Sequence, residues 1–403
     1  MISLDILKKL SQKSNSKIIM LILDGLGGLP RLMGGKTELE TASCPNLDTL
    51  AKQSITGMVD PIAKGIPPGS GPAHLALFGY DPIKNQIGRG VLSSLGIGFE
   101  LQPSDVAVRI NFATVNAEGN ITDRRAGRMA TEKNNELCRI LDNIRIPGIE
   151  IFVRTVKEHR AMVVFRGEGL SGDLMDSDPQ KTGAPPLAVI PHIDSPEAKH
   201  TAELANRFIE ESKRLLSGEE KGNMVLLRGF AQYHPLPSMS EIYKLKAAAI
   251  ATYPMYRGVA RLVGMEILEC GEMIEDEFNV LDQNFSKYDF FYIHIKKTDS
   301  YGEDGDFDQK VHIIELVDTY IPQMMSLHPD VVVVTGDHST PAVLTSHSWH
   351  PNPILLYSRW CRPDKVRLFS ESECIHGGLG RFPAIEIMPL ALANSLRLSK
   401  FGA

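Results

Sequence analysis

The sequence contains few cysteines, and their scarcity already excludes two classes of protein. Cys44, Cys138, Cys270, Cys361 and Cys374 are scattered over 403 residues and never form a CxxC pair. Their odd number and wide spacing argue against a disulfide framework and against a zinc site built from thiolates. We therefore expect a protein of the reducing cytoplasm.

An excess of positive charge is also missing. The chain has 43 lysines and arginines against 49 acidic residues, for a formal net charge of −6. This balance excludes the basic surface expected of proteins that bind nucleic acid or anionic lipid. We find neither a cleavable signal nor an apolar run long enough to span a bilayer, so neither nucleic acid nor membrane is an expected partner.

The length of the chain predicts two domains, because 403 residues exceed what one hydrophobic core ordinarily accommodates. Short apolar strands alternate with helices from Ile18 to about Pro82 and again from about Lys246, which is typical of α/β domains. A block rich in alternating strands lies between them. We predict an α/β domain with a doubly wound sheet, formed by residues 1–90 and 239–403, and a smaller inserted α+β domain, residues 91–238.

Several separated fragments pair a metal-binding side chain with a predicted turn. They are ILDGLGG (Ile22–Gly28), GSGPAH (Gly69–His74), KTDSYGEDGD (Lys297–Asp306), TGDHSTP (Thr335–Pro341) and HSWHP (His347–Pro351). Three of them follow runs that predict strands buried on both faces, namely Ile18–Leu23, Asp289–Ile295 and Val331–Thr335. Ligands lie at the carboxyl ends of parallel strands, so these fragments should converge there, bringing together Asp24, Asp299, Asp337 and His338. Clustered carboxylates repel one another unless a cation neutralises them, and the sequence therefore predicts bound metal ions.

Each fragment also has an ordinary structural interpretation. Asp24 precedes a glycine, which is common turn chemistry, and Asp337 could cap the segment after it. Of His347 and His350, one is expected to be structural. Ser70 could be a helix N-cap. Beside divalent metals, however, a hydroxyl at a helix N-terminus is positioned as a nucleophile activated by metal coordination, with backbone N–H groups available for a phosphate.

The inserted block is rich in arginine. Charged side chains on an exposed sheet face are usually only solvated, and that interpretation holds for most of them. The segment DRRAGR, residues 123–128, differs from the rest. Its four ionic groups, separated by small residues, suit a bidentate clamp on a carboxylate or phosphate.

Together these motifs resemble those of the archaeal type of 2,3-bisphosphoglycerate-independent phosphoglycerate mutase, in the alkaline phosphatase superfamily. The resemblance extends almost from end to end and rests on LDGLGG, TELETASCPNLDTLA, GSGPAHLALFGYDP, DVAVRINFATV, DRRAGR, EHRAMVVFRG, YPMYRGVARLVGM, DGDFDQKV and TGDHSTP through HSWHPNPILL. This combination is far more specific than any single fragment. It implies an alkaline-phosphatase-like doubly wound metal domain, formed by both ends of the chain, and an inserted substrate-binding cap.

The resemblance also implies roles for individual residues. Ser70 would be the phosphorylated nucleophile beside two divalent metal ions. One ion would be held by Asp24, Ser70, Asp337 and His338, and the other by Asp299, Glu303 and His347. The substrate-binding candidates in the cap are Arg109, Asp123, Arg124, Arg128, His159 and Arg160.

One metal-binding motif departs from the family pattern. Members typically carry APDEAGH, in which a histidine follows the aspartate by four residues, whereas this chain has Glu303 at that position. Glutamate can still bind a divalent ion, and its oxygen shifts the preference toward manganese or magnesium over zinc, with cobalt a further alternative. Lys296 and Lys297 stand where the family usually has Glu-Ala, and they would offset the added negative charge.

The predicted reaction interconverts 3-phosphoglycerate and 2-phosphoglycerate, a cytoplasmic step of glycolysis and gluconeogenesis. These small molecules are the expected partners, and a homo-oligomer is compatible with the sequence. Two alternatives stay open. One is a metal-dependent phosphohydrolase on the same core, which the arginine segment argues against. The other is a catalytically weak paralogue that binds a phosphorylated metabolite, which Glu303 and the two lysines favour.

Overall fold

The computed structural model describes residues 3–402, which form two compact units. The first comprises the described residues up to Gln86 and from Pro237 onward, and the second comprises Ile87–Leu236. The domain bounds expected from the sequence lie a few residues from these divisions, and the separate roles of the two segments stay a prediction. Within the described residues, no helix is both long and apolar enough to cross a bilayer.

Strands and helices alternate along most of the chain. The strands are β1 (Ile18–Leu23), β2 (Ser54–Asp60), β3 (Val106–Val115), β4 (Ile121–Asp123), β5 (Glu150–Lys157), β6 (Arg160–Arg166), β7 (Met224–Gln232), β8 (Ala247–Ala251), β9 (Glu266–Leu268), β10 (Phe290–Ile295), β11 (Val331–Thr335), β12 (Asn352–Ser358) and β13 (Gly380–Pro383). The α-helices are α1 (Leu4–Leu10), α2 (Glu38–Thr41), α3 (Pro45–Ala51), α4 (Ser70–Leu77), α5 (Arg89–Gly96), α6 (Thr131–Leu141), α7 (Pro196–Leu215), α8 (Met239–Tyr243), α9 (Pro254–Leu262), α10 (Ile274–Asn284), α11 (Lys297–Glu303), α12 (Phe307–Ser326), α13 (Glu371–Cys374) and α14 (Ile387–Asn394).

The first unit contains an eight-stranded sheet in the order β13-β2-β12-β11-β1-β10-β8-β9. Strands β11, β1, β10, β8 and β9 run parallel, and β12 is antiparallel to both of its neighbours. Every residue of β1, β10 and β11 is buried, because these central strands are mostly apolar and are covered on both faces. The predicted α/β fold class is confirmed.

The register of the three central strands brings their carboxyl ends together. Ile22 of β1 pairs with His294 of β10 on one side and with Thr335 of β11 on the other. Residues 24, 299 and 337 follow these strands by one, four and two positions, so they leave the sheet at the same edge. The topology therefore unites segments that are about 300 residues apart in the chain.

The segment Lys297–Glu303 forms helix α11, whereas the sequence predicted a turn there. Nothing between Lys297 and Tyr301 interrupts a helix, since the first glycine is Gly302. The chain leaves the helix at Gly305, whose φ of +76° lies in the left-handed region that glycine adopts readily. As a result, Asp299 lies in the first turn of a helix and is fixed more firmly than a loop residue would be.

The second unit contains a five-stranded sheet in which β3 pairs with β4, β6 and β7, and β6 pairs with β5. All of these pairings are antiparallel. Helices α6 and α7 pack with the strands around a separate hydrophobic core. Helix α7 begins at a sequence-encoded cap, because the Ser195 side chain accepts a hydrogen bond from the Ala198 backbone N–H at 3.1 Å and Pro196 opens the first turn.

Asp318 on α12 stabilises the first unit by capping α3, which leads to a mutational prediction. Its buried carboxylate accepts hydrogen bonds from the backbone N–H groups of Leu47 at 2.7 Å and Asn46 at 3.2 Å, and from the Asn46 side chain at 2.9 Å. Asp318→Ala leaves these donors unsatisfied, so we expect it to lower the free energy of unfolding by about 3 kcal/mol, measured by urea denaturation. The control, Asp308→Ala on the same helix, removes only an exposed ion pair with Arg31 and should cost less than about 1 kcal/mol. Equal losses in the two variants would contradict the capping role.

Candidate active site

Three carboxylates and a histidine meet at the carboxyl edge of the central strands. Asp24, Asp337 and His338 are fully buried, and Asp299 is 2% exposed. Gly25, next to Asp24, is required for this approach, because a Cβ atom there would lie 2.6 Å from Thr340 Oγ1 and 2.9 Å from Asp299 Oδ1. The predicted convergence of the separated fragments is therefore present in the fold.

The first group of candidate metal ligands surrounds His338 Nε2. This nitrogen lies 3.4 Å from Asp24 Oδ1, 3.2 Å from Asp337 Oδ2 and 3.2 Å from Ser70 Oγ. Ser70 opens helix α4, so its hydroxyl stands where the first backbone N–H groups of that helix are free. Asp24, Asp337 and His338 together form one of the two metal-compatible groups found among the described residues.

The buried oxygens and ring nitrogen of these groups suit a cation. Asp24 Oδ1 and Asp337 Oδ2 are buried and have no hydrogen-bond partner within the described structure. Burial, reinforced by the neighbouring Asp24 carboxylate, raises the pKa of Asp337 well above its usual range. Burial lowers the pKa of His338 to about 3, which keeps the imidazole neutral and leaves a lone pair on its ring. Two orphaned carboxylate oxygens beside a neutral imidazole fit a divalent metal ion.

The second group contains Asp299, His338 and His347. His347 Nε2 lies 3.7 Å from Asp299 Oδ1, while its other ring nitrogen, Nδ1, lies 2.8 Å from the Pro68 carbonyl oxygen. Donation from Nδ1 to that carbonyl leaves Nε2 free to bind a metal. The rings of His338 and His347 stack with their centroids 3.6 Å apart, so His338 lies within reach of both groups rather than of one alone.

Glu303 lies at the margin of the second group. Its Oε1 is 3.8 Å from His347 Nε2, and its side chain is 55% exposed. Partial burial of this side chain, together with the negative charge of Asp299, raises the pKa of the Glu303 carboxyl. The helical spacing of four residues places Glu303 and Asp299 on one face of α11, as a shared ligand set requires.

Thr340 and Lys310 hold the loops that carry the ligands. Thr340 Oγ1 donates to Asp299 Oδ1 at 2.7 Å and lies 2.9 Å from His338 Nδ1, which points His338 Nε2 toward the first group. The buried Lys310 ammonium donates to the carbonyl oxygens of Gly27 at 3.1 Å and Thr340 at 2.8 Å. Both residues were missed from the sequence, since a lysine in a helix and a threonine in a loop carry no distinguishing signal.

Buried aromatic and imidazole side chains contact the carboxylates of Asp24 and Asp337. The Tyr256 hydroxyl donates to Asp24 Oδ2, and His294 Nε2 lies 3.4 Å from the same atom. His74 Nδ1 lies 2.8 Å from the Ser70 carbonyl oxygen and 3.4 Å from Asp337 Oδ2. A histidine inside a strand that is otherwise apolar, such as His294, is a signal that sequence reasoning could have used. Tyr256 offered none.

The arginine-rich residues of the second unit fall into two sets. His159 is 2% exposed, and burial together with nearby arginines lowers its pKa to about 4. The arginines that act on it are Arg160, Arg109, Arg125 and Arg128. Its Nδ1 and the Nε of Arg160 are buried without hydrogen-bond partners in the part of the chain that the structure describes. Glu158 Oε2 lies 3.6 Å from Arg160 Nη1 and 3.8 Å from His159 Nδ1, so it offsets part of this charge. The four arginines still leave the group positive, which suits an anion.

Arg124 belongs to the other set, because its guanidinium is already engaged. It forms a bidentate pair with Asp178, with Nε–Oδ1 and Nη2–Oδ2 distances of 3.0 and 2.7 Å. Asp123 accepts from the backbone N–H groups of Arg125 at 2.8 Å and Gly127 at 2.6 Å, so it shapes the turn. Within DRRAGR, only Arg125 and Arg128 remain exposed arginines.

Known proteins resemble this chain along almost its whole length. A family model described as 2,3-bisphosphoglycerate-independent phosphoglycerate mutase matches residues 51–221. A relative from Thermotoga neapolitana, named as a probable enzyme of this kind, is 52% identical, with 98% of each chain covered. A relative of the same name from Thermus thermophilus is 49% identical over 99% of each chain. The chain belongs to this family.

Two solved structures share the fold of this chain over almost its whole length. A protein from Pyrococcus horikoshii has a TM-score of 0.83 at 30% identity, with 96% of this chain and 99% of that one covered. The cofactor-independent phosphoglycerate mutase from Thermoplasma acidophilum has a TM-score of 0.72 at 31% identity, with 94% and 100% covered. The resemblance predicted from the motifs is confirmed, and mutases of this family are isomerases.

The position of Glu303 leads to a prediction about metal content. If Glu303 completes the second group, Glu303→Ala should weaken binding of one Mn²⁺ ion by about tenfold or more, because an oxygen ligand is lost. Glu303→His should keep the ion and shift preference toward zinc or cobalt, since imidazole is a softer ligand. Metal content after gel filtration, measured by mass spectrometry, checks both outcomes. Asp304→Ala, at the exposed end of the same helix, is the control, and identical metal content in all three variants would remove Glu303 from the ligand set.

Proposed function

We propose that this protein interconverts 3-phosphoglycerate and 2-phosphoglycerate without 2,3-bisphosphoglycerate, through a phosphorylated Ser70. The observation that carries the proposal is the position of Ser70 Oγ, 3.2 Å from His338 Nε2 and beside the unpartnered oxygens of Asp24 and Asp337. A serine hydroxyl at the start of a helix, next to a site that fits divalent cations, is arranged to attack phosphorus.

The proposed centre holds two divalent ions, with Mn²⁺ favoured because most of the donors are oxygens. Asp24, Ser70, Asp337 and His338 would hold one ion, and Asp299, Glu303 and His347 the other. When bound, such ions lower the pKa of the serine hydroxyl and neutralise the charge on the transferring phosphoryl group. The buried, largely water-excluding position of the carboxylates strengthens each of these interactions.

The chain's own groups define the steps. Ser70 Oγ attacks the phosphorus, so that the bond between Oγ and phosphorus forms while the bond between phosphorus and the 3-oxygen of the substrate breaks. The proton lost by the Ser70 hydroxyl is balanced by the proton that the 3-oxygen gains. The glycerate then reorients, its 2-hydroxyl attacks the phosphoserine, and Ser70 is released with a proton returned to it. The free N–H groups at the start of α4 orient the phosphoryl group during both transfers.

Retention of glycerate distinguishes a mutase from a phosphohydrolase, because water that replaces glycerate would hydrolyse the phosphoserine. We assign this retention to the positive group around His159, in which Arg109 and Arg160 bind the carboxylate of glycerate. The predicted contributions of Arg124 and Asp123 are less direct, since one is paired with Asp178 and the other supports the turn. Arg128 stays available for the substrate.

We further propose that the reaction serves glycolysis and gluconeogenesis in the cytoplasm. Within the described residues all five cysteines are unpaired, in keeping with a reducing compartment. Phosphoglycerates are then the small-molecule partners of the chain.

The nucleophile is tested with Ser70→Ala. Metal-loaded wild-type protein should convert 3-phosphoglycerate to 2-phosphoglycerate with little release of free phosphate. Ser70→Ala should lower this rate by about a thousandfold or more, because the covalent acceptor is gone. Ser300→Ala, which removes a hydroxyl next to Asp299, is the matched control and should keep most of the activity. Phosphopeptide mapping should place the phosphate on Ser70, and phosphate on another residue would contradict the proposed path.

The anion site of the second unit is tested with Arg160→Ala. Loss of this guanidinium loosens the hold on glycerate, so the mutase rate should fall by about tenfold or more while phosphate release falls less. The two rates are measured in one assay that follows 2-phosphoglycerate and free phosphate together. Arg154→Ala on the neighbouring strand is the control, since Arg154 is occupied by Asp142 at 2.6 Å. An equal fall in both rates for Arg160→Ala would show that Arg160 is only structural.

A further inference from the structure

Lys296 lies between two of the candidate metal-binding carboxylates. Its ammonium nitrogen is 3.1 Å from Asp24 Oδ2 and also contacts Asp299 Oδ2. The side chain is only 22% exposed. Lys297, its neighbour in the chain, is exposed and makes neither contact. One of the two adjacent lysines is therefore part of the centre and the other is not.

The two oxygens of each carboxylate have separate partners. Lys296 contacts the Oδ2 atom of both Asp24 and Asp299. The Oδ1 atoms point to the two candidate metal groups, since Asp24 Oδ1 is 3.4 Å from His338 Nε2 and Asp299 Oδ1 is 3.7 Å from His347 Nε2. An ammonium group has three N–H donors, so it can bind both Oδ2 atoms at once without occupying either metal position.

The charge of the centre explains why such a residue is needed. Asp24, Asp299 and Asp337 bring three carboxylates together, and burial keeps His338 neutral. The Lys296 ammonium contacts Oδ2 of both Asp24 and Asp299, so its positive charge lies where it offsets these two carboxylates.

We infer that Lys296 is a built-in counter-cation of the metal centre, which holds the carboxylates together before metal arrives and weakens the binding of the ions that follow. This inference rests on the metal centre proposed above. Fixing Oδ2 of both aspartates pre-organises the Oδ1 atoms, so the apo-protein already has the shape of the site. The same positive charge repels each divalent ion and makes the bound ions more easily exchanged.

The direction in which metal affinity changes when Lys296 is removed separates this role from a merely structural one. A residue that only supports the fold would, when removed, distort the ligands and weaken metal binding. Removal of a counter-cation has the opposite effect on affinity, because the ions then face uncompensated carboxylates. Stability of the metal-free protein and affinity for metal should therefore change in opposite directions.

The experiment compares Lys296→Met with Lys297→Met, which changes the same residue type at the exposed neighbouring position. Metal-free wild type, Lys296→Met and Lys297→Met are melted, and each is then titrated with Mn²⁺ by calorimetry. For Lys296→Met we expect a lower melting temperature without metal and a dissociation constant for Mn²⁺ that is lower by about tenfold or more, as the loss of a nearby unit charge predicts. Lys297→Met should match wild type in its dissociation constant for Mn²⁺, because Lys297 contacts neither Asp24 nor Asp299.

A second measurement covers the case in which metal-free Lys296→Met does not fold. The variant is then prepared with Mn²⁺, and the rate at which a chelator removes the metal is compared with that of wild type. Slower removal supports the counter-cation role, and faster or equal removal overturns it. Weaker or unchanged Mn²⁺ affinity in a folded Lys296→Met also overturns it. If wild-type protein itself binds no Mn²⁺, the metal centre fails together with this inference, whereas binding by wild type with no tightening in the variant rejects only the role of Lys296.

Discussion

The constraint on which this structure depends is the mutual repulsion of three carboxylates buried at one edge of a sheet. In a protein environment, two like charges about 4 Å apart repel by roughly 4 kcal/mol, and the net stability of a folded domain is only about 5–15 kcal/mol. Three such groups cannot remain ionised together without positive charge. The ammonium of Lys296 supplies positive charge, and the Tyr256 hydroxyl donates a hydrogen bond to Asp24. The unpartnered oxygens of Asp24 and Asp337 are left for a cation.

The surrounding loops hold these charges together in the folded state. Lys310 is itself a buried cation, and it joins the loop after β1 to the loop after β11 through the carbonyl oxygens of Gly27 and Thr340. Glu38 lies 3.8 Å from the Lys310 ammonium and accepts hydrogen bonds from the Leu29 and Ala342 backbone N–H groups. Removing one member of such a network would leave a buried charge unpaired. The loss of folding free energy would then exceed the net stabilisation that the intact network provides. Lys310 and Glu38 therefore link the backbones of the two ligand loops.

Much of this arrangement follows from local sequence, and the rest from tertiary packing. The strands before Asp24, Asp299 and Asp337 are evident because apolar, β-branched and aromatic runs have few other interpretations. The meeting of their carboxyl ends at one edge of the sheet follows from the rules for parallel sheets. The contacts of Tyr256, Thr340 and Lys310 are set by elements distant in the chain, and no local pattern encodes them. The pairing of Arg124 with Asp178 likewise depends on how one loop of the second unit folds back, so the motif DRRAGR alone overstated the number of free arginines.

Lys296 and Glu303 bring opposite charges to the same aspartate, Asp299. Lys296 precedes Asp299 by three residues and Glu303 follows it by four, so one adds positive charge and the other negative charge to the same group. The two charges act on Asp299 with different strength, because Lys296 is more buried than Glu303. Lys296 contacts two buried carboxylates, whereas Glu303 is largely open to solvent, which screens its charge. Lys296 therefore outweighs Glu303 in the charge that acts on Asp299.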